Sequence, residues 1–371
     1  MRTLALLLTC LSLLALPGSG HAQAPPRDEP AVATRVAREQ TALIGLMAGE
    51  PGGTYLRIAA DMATVLDDGE NLRILPIVGR GSIQNVADLL FTRGVDLAIV
   101  QSDVMARMQR QTMFPSQSSL QYITKLYQEE VHVLARPDIT SVRDLADKPV
   151  NIDLRGSGTA MTAATLFGLL DVRPRMEHDD QVVALERLKR GEIAAMVFVV
   201  GGPAALFSAI GPDSGLHFLP LSLSAELAEA YLPTRLEHAQ YPDLIPSDRP
   251  VDTVAVGAIL ATIGAAQGTE RYRRMTKFTE AFFNRFNEFR RPGRHPKWAE
   301  VNLAAQVPGW TRFPEAQVQL NRQIANAETA LRAAFNVFLS DQNLGGDPDP
   351  QTRDMLFQEF LKWQTRQREA R

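Results

Sequence analysis

The sequence predicts an α/β fold of two similar lobes facing each other across a cleft, with a helical extension at the C-terminus. Three observations carry this. The order strand, Gly-rich turn, helix, strand, helix, glycine, apolar strand occurs twice. Two extended stretches, 122–136 and 253–261, are placed to cross between the lobes. Residues beyond about 320 repeat no part of either unit and are patterned as helices.

The first turn is Gly49-Glu50-Pro51-Gly52-Gly53-Thr54 and the second is Arg155-Gly156-Ser157-Gly158-Thr159. Each follows an apolar run and opens a helical pattern. Glycine lets the backbone turn tightly and approach a bound group, while the helix behind supplies unpaired N–H donors and a partial positive charge. Each turn is therefore a candidate anion cradle. Further along each unit, 86–100 and 183–197 share one grammar: a helix ending at Gly94 or Gly191, then a buried strand. Either copy alone is ordinary α/β grammar; two such lobes facing each other across a cleft would place both cradles on one ligand.

Before the first unit, Arg2 and the apolar run Leu4 to Leu16 read as a secretory signal peptide, too short to span a bilayer. Cleavage is expected after Ala22. The single cysteine, Cys10, lies inside that run, so the mature chain would contain no disulfide and no thiol nucleophile. Residues 23–40 form a Pro-rich leader. The expected product is a soluble periplasmic protein. With 371 residues, 45% of them apolar, it can bury the cores of two lobes, and a net charge of −3 gives no electrostatic case for nucleic acid.

In lobe I, expected to comprise 41–131 and 255–335, strands are predicted at 42–47, 73–78 and 95–100, with helices at 55–66 and from Ser82, a possible cap, to Phe91. Lobe II, 132–254, holds a strand at 150–154, a helix at 160–170 and a buried strand at 194–200, after which Pro203 suits a helix start. A helix at 270–289 returns to lobe I, and the proline-punctuated stretch 292–314 is expected to be irregular, anchored by Trp298 and Trp310. The tail, 336–371, ends in a helix at 352–368 with Leu356, Phe357, Phe360 and Trp363 on its apolar side.

Candidate ligand contacts follow from the cradles: Gly53, Thr54 and Tyr55 at the first, and Arg155, Gly156, Ser157, Gly158 and Thr159 at the second. Arg80, Gly81, Ser82 and Asn85 open the second helix of lobe I, and Gln101 and Asp103 follow a strand at its carboxyl end, where open α/β sheets bind ligands. Guanidinium matches carboxylate bidentately, so Arg80 and Arg155 from opposite lobes could take the two ends of a dicarboxylate. Each of these residues also has a structural reading, as a loop cation, a helix cap or a packed side chain. Metal and nucleophile patterns are missing: the histidines have no i, i+4 pairing, and there is no Gly-x-Ser-x-Gly, no P-loop and no complete Gly-x-Gly-x-x-Gly. No cofactor and no catalysis are expected.

The segments Gly52-Gly53-Thr54-Tyr55, Gly81-Ser82-Ile83-Gln84-Asn85, Gly94 through Asp103, and Gly156-Ser157-Gly158-Thr159, with Leu126-Tyr127 through Val131-His132-Val133, resemble the TAXI family. These are solute receptors of TRAP (tripartite ATP-independent periplasmic) transporters. The resemblance covers Ala42 to Glu280. It implies a type II periplasmic-binding-protein fold and monomeric delivery of a small organic anion to an ion-driven TRAP permease. Glutamate and 2-oxoglutarate exemplify the implied ligands. Departures are Leu56 in place of a second tyrosine, arginine at 80 and 155 where small residues are usual, and the longer tail. The tail motivates an alternative, a ligand-reporting protein acting on a sensor or another envelope partner.

Overall fold

The computed structural model describes residues 43–111, 119–228, 231–341 and 349–369. The expected signal peptide and leader therefore lie outside the described residues. Lobe I begins with β1 (Leu43–Met47), α1 (Thr54–Leu66), β2 (Arg73–Ile77), α2 (Ser82–Phe91), β3 (Val95–Gln101) and α3 (Val104–Gln111). The long strand β4 (Leu120–Ala135) leads into lobe II. There follow β5 (Pro149–Asn151), α4 (Gly158–Leu169), β6 (Arg175–Glu177), α5 (Gln181–Lys189), β7 (Ala195–Val200), β8 (His217–Phe218) and β9 (Leu232–Leu236). Strand β10 (Val251–Ile263) returns to lobe I and its α6 (Glu270–Asn284); β11 (Thr311–Arg312), α7 (Pro314–Asp341) and α8 (Pro350–Glu369) complete the chain.

The two units are built alike. β1 pairs in parallel with β2 and β3 in lobe I, and β5 pairs in parallel with β6 and β7 in lobe II. Strand β3 is buried along its whole length, as expected of parallel strands covered on both faces. Pro76 is accommodated because β2 is an edge strand. Among the described residues the strands form one continuous sheet, ordered β2-β1-β3-β10-β4-β7-β5-β6. Its middle is the antiparallel pair β4 and β10, which belongs to both lobes: β10 pairs with β3 through Ala258–Thr262, and β4 pairs with β7 through Glu130–Ala135. The lobes are thus joined by two strands whose backbone hydrogen bonds continue from one to the other.

Each lobe has apolar cores on both faces of its part of the sheet. In lobe I, Ile58 and Met62 of α1 meet Phe278 and Phe282 of α6 and the fully buried Trp298, while Val86 and Leu89 of α2 pack with Val100 and Ile259 on the opposite face. In lobe II, Phe167 of α4 lies with Val133 and Val150, and Leu185 of α5 with Phe207, Phe218 and Tyr241. Proline does not start a helix at 203; the Gly202–Pro203 peptide is cis and a short helix runs Ala205–Ser208. Much of the stretch after α6 is irregular, but it contains 3-10 turns at Phe286–Arg290 and Pro296–Glu300.

Helix α7 leaves the body. Its first turns are held by buried Ala316, Gln319 and Leu320, whereas residues 324–330 are exposed. Helix α8 folds back onto the far end of α7, where Phe335, Phe338, Phe357, Phe360 and Trp363 form a ring cluster. Among the described residues no helix is long and apolar enough to cross a membrane.

A candidate ligand cleft between the lobes

The carboxyl ends of β1 and β5 each run into a Gly-rich turn, with Gly52 at φ 87° and Gly156 at φ 86°. A side chain is strained at such angles, so glycine is what allows the chain to fold back into the following helix. Helix α1 starts after Gly53 with no side-chain cap and no acidic residue in its first turn. Helix α4 is capped by Ser157, whose hydroxyl accepts from the Ala160 amide at 3.0 Å. The two helix starts, from opposite lobes, line one cavity of about 190 Å³ through Gly53, Thr54 and Tyr55 on one side and Gly158 and Thr159 on the other. Drug-sized sites run to roughly 300–1,000 Å³, so this cavity suits a smaller solute.

The lobes touch around it. Thr54 Oγ1 donates to Gly201 O at 2.8 Å, and Thr162 Oγ1 of α4 donates to Gln101 Oε1 at 3.3 Å. A Cβ added at Gly81 would stand 3.3 Å from the Gly158 nitrogen.

Of the residues singled out from sequence, Gly53, Thr54, Tyr55, Arg80, Gly81, Gln101, Gly158 and Thr159 line the cavity. Several are already engaged. Tyr55 Oη donates to Glu129 at 2.7 Å, and Thr159 Oγ1 accepts from the Val199 amide at 3.1 Å. Six others lie outside the lining. Ser82 does not cap α2, which starts after Gly81; its hydroxyl instead bonds Gln101, donating to Oε1 at 3.1 Å and accepting from the backbone amide at 2.9 Å. Asn85 is a framework residue: Nδ2 donates to Ala48 O and Ile99 O, and Oδ1 accepts from Gly81 N. Asp103 faces a separate groove with Arg107 and Met161, at the start of α3. Ser157 and Gly156 shape the turn of lobe II, and Arg155 is exposed beside it, away from the cavity.

The lining also contains residues that sequence reasoning did not assign: Glu50, Glu129, Asp153, Asp180 and Gln181, with an apolar wall of Val182, Phe198, Val199, Val200 and Leu206. Signals for some were present. Glu50 lies within the first Gly-rich turn, and Asp153 lies just past the carboxyl end of β5, as Gln101 ends β3. Burial pushes the Glu50 carboxyl up to about 7, with Asp153 and Asp180 adding to the effect and Arg80 opposing it. Burial likewise raises Asp153 to about 6 and Glu129 to about 8. Desolvation disfavours the charged form of an acid unless a cation compensates it. Arg80 is the one cationic side chain among the described lining residues.

Behind the cleft, Glu130 ties three segments together. It accepts from the Gly202 amide at 2.7 Å and pairs with buried Lys297, which also reaches Glu300 at 2.7 Å. His132 stacks edge-on against Tyr241, and its Nε2 lies 2.8 Å from the tyrosine hydroxyl. Among the described residues no group of three or more His, Cys, Asp or Glu is arranged to hold a metal ion.

Residues 46–304 match the NMT1-like family. The fold is also similar to solved structures. One is a mutant of ArgBP from T. maritima, with a TM-score of 0.42 and 14% identity over 71% of this chain and 95% of that one. Another is the GluR0 ligand-binding core from Nostoc punctiforme in complex with (L)-glutamate, with a TM-score of 0.41 and 15% identity over 67% and 93%. A third is the effector binding domain of QuiR in complex with shikimate, with a TM-score of 0.40 and 11% identity over 64% and 94%.

Proposed function

The chain belongs to the NMT1-like family, and on that premise we propose that it is an extracytoplasmic receptor that closes its two lobes on a small solute. One observation carries the reading: the starts of two helices from opposite lobes line the same cavity. Unpaired amides and helix dipoles converging from both sides favour an anionic group on the ligand, and Arg80 adds a charge of the same sign. Only a closed arrangement presents both helix starts together, so ligand shifts the population toward closure. The TAXI resemblance supports delivery to a TRAP permease, which would read the closed shape.

Mass spectrometry of small molecules released from gently purified protein, followed by thermal-shift titration of each, tests the reading. A released molecule that raises Tm in proportion to its concentration is the expected result. Absence of any bound molecule, with no shift from a broad panel of small acids and amines, would overturn it. A second reading, reporting to an envelope partner, rests on exposed apolar side chains of the α7–α8 hairpin, Val337, Met355 and Trp363.

A further inference from the structure

A cavity built for a dianion would be expected to line itself with cations, yet this one sets Glu50, Glu129, Asp153 and Asp180 against Arg80. Two acceptor atoms in that lining have no partner. Asp153 is 4% exposed and its Oδ1 makes no hydrogen bond; Gln181 is also 4% exposed and its Oε1 makes none. The Gln181 amide is oriented by Nε2, which donates to Val197 O at 3.0 Å, and the Asp153 carboxyl is held by the Leu154 amide and the Ser157 and Gln181 side chains, which leaves Asp153 Oδ1 and Gln181 Oε1 over. The Gln181 oxygen is therefore presented as an acceptor awaiting a donor. Buried acceptors are paired in the great majority of folded proteins, and exceptions call for an explanation. Asp153 also adopts φ 74°, a left-handed conformation uncommon for a residue with a side chain, and such conformations cluster at ligand sites.

The two residues come from neighbouring places in lobe II, Asp153 just beyond β5 and Gln181 at the first position of α5 after β6. Both line the cavity with Glu50 of lobe I facing them. The carboxylates are not arranged to hold a metal among the described residues. What fits two adjacent acceptors, one of them charged, is an ammonium group, with three donors on one nitrogen.

Resting on the receptor reading above, we propose that Asp153 and Gln181 form a seat for a protonated amine, so that the cleft takes a zwitterion with its carboxylate toward the helix starts and Arg80. Amine-free dicarboxylates are then poor ligands, since their second acid group would meet carboxylates and leave the Gln181 oxygen unpaired.

Paired probes on the full-length protein test this by calorimetry: 2-oxoglutarate against L-glutamate, and succinate against γ-aminobutyrate, followed by the molecule that co-purifies. The aminated member of a pair should bind on the order of a hundredfold tighter, because a site built to pair with a substrate group rejects the analogue lacking it. Asp153→Asn and Gln181→Leu should each narrow that gap. An amine-free acid binding as tightly as its aminated counterpart, or a co-purified ligand with no basic nitrogen, overturns the ammonium seat and leaves the receptor reading standing. If neither probe class binds and nothing co-purifies, the receptor reading fails, and the seat fails with it.

Discussion

Glu129 lies on the crossing strand, 3% exposed, and accepts from the Tyr55 hydroxyl at the inner end of the cleft. Burial lifts its carboxyl from 4.5 to about 8, so the folded protein keeps a proton that the unfolded chain releases. Stability from this group is full below pH 4.5 and is lost as pH rises through about 8. Two histidines, buried His132 and half-buried His295, act in the opposite sense. Desolvation lowers His132 and His295 to about 4, so their contribution is full above 6.5 and lost as pH falls. The window from pH 6.5 to 8 therefore isolates the carboxyls. Urea denaturation there should show wild type losing up to about 1.4 kcal/mol per pH unit relative to Glu129→Gln, which keeps an acceptor for Tyr55 without the titration. Parallel curves for the two proteins would remove Glu129 as the cause. Nothing local marked this site, because Glu129 is one of two consecutive acids on a strand that also carries Gln121, Lys125, Gln128 and His132. Ser82 and Asn85 show the reverse case: read as ligand contacts, they are engaged in fastening α2 to β1 and β3.

The duplicated unit is a matter of elements, and it was legible because periodicity and glycine placement are local. Strand, turn and helix boundaries in both copies lie within a few residues of those read from the chain, and the parallel pairing of each trio follows from its crossovers. The start of α2 carries a steric constraint between the lobes. Gly81 has φ 96°, and a Cβ there would enter the space in front of the Gly158 amide at 3.3 Å. Gly81→Ala should lower unfolding free energy by about 1–3 kcal/mol through backbone strain alone, since φ 96° with ψ −171° is open to little but glycine. The added methyl also wedges the lobes, so affinity for the co-purified ligand should fall by about tenfold or more, an effect comparable to losing one hydrogen bond or more. Calorimetry beside chemical denaturation separates the two effects, and unchanged affinity would show that the α2 start does not approach α4 in the bound state.

For the whole molecule, β4 and β10 determine what the lobes can do. Two paired strands shared by both halves permit bending about one region while keeping register, and the contacts from Thr54 to Gly201 and from Thr162 to Gln101 latch the closed side. The α7–α8 hairpin stands apart from this machinery. Its ring cluster is self-contained, with Phe360 fully buried between Phe335, Phe357 and Trp363. Ending the chain after Asp341 should therefore expose Phe335 and Phe338 and promote self-association on size-exclusion chromatography, while ligand affinity stays within about twofold of full length. A large loss of affinity would place the hairpin in control of the cleft.

Local chemistry dictated the repeated units, the turns and the helix starts, since hydrogen-bond periodicity and backbone sterics act over a few residues and are written there. The composition of the cleft was settled only when the two lobes met. Which of Arg80 and Arg155 faces inward, and the convergence of Glu50, Glu129, Asp153 and Gln181 on one cavity, depend on side-chain direction across a sheet joined at β4 and β10. Burial from water, which sets the charge state of those acids, is a property of that assembled space and of no segment alone.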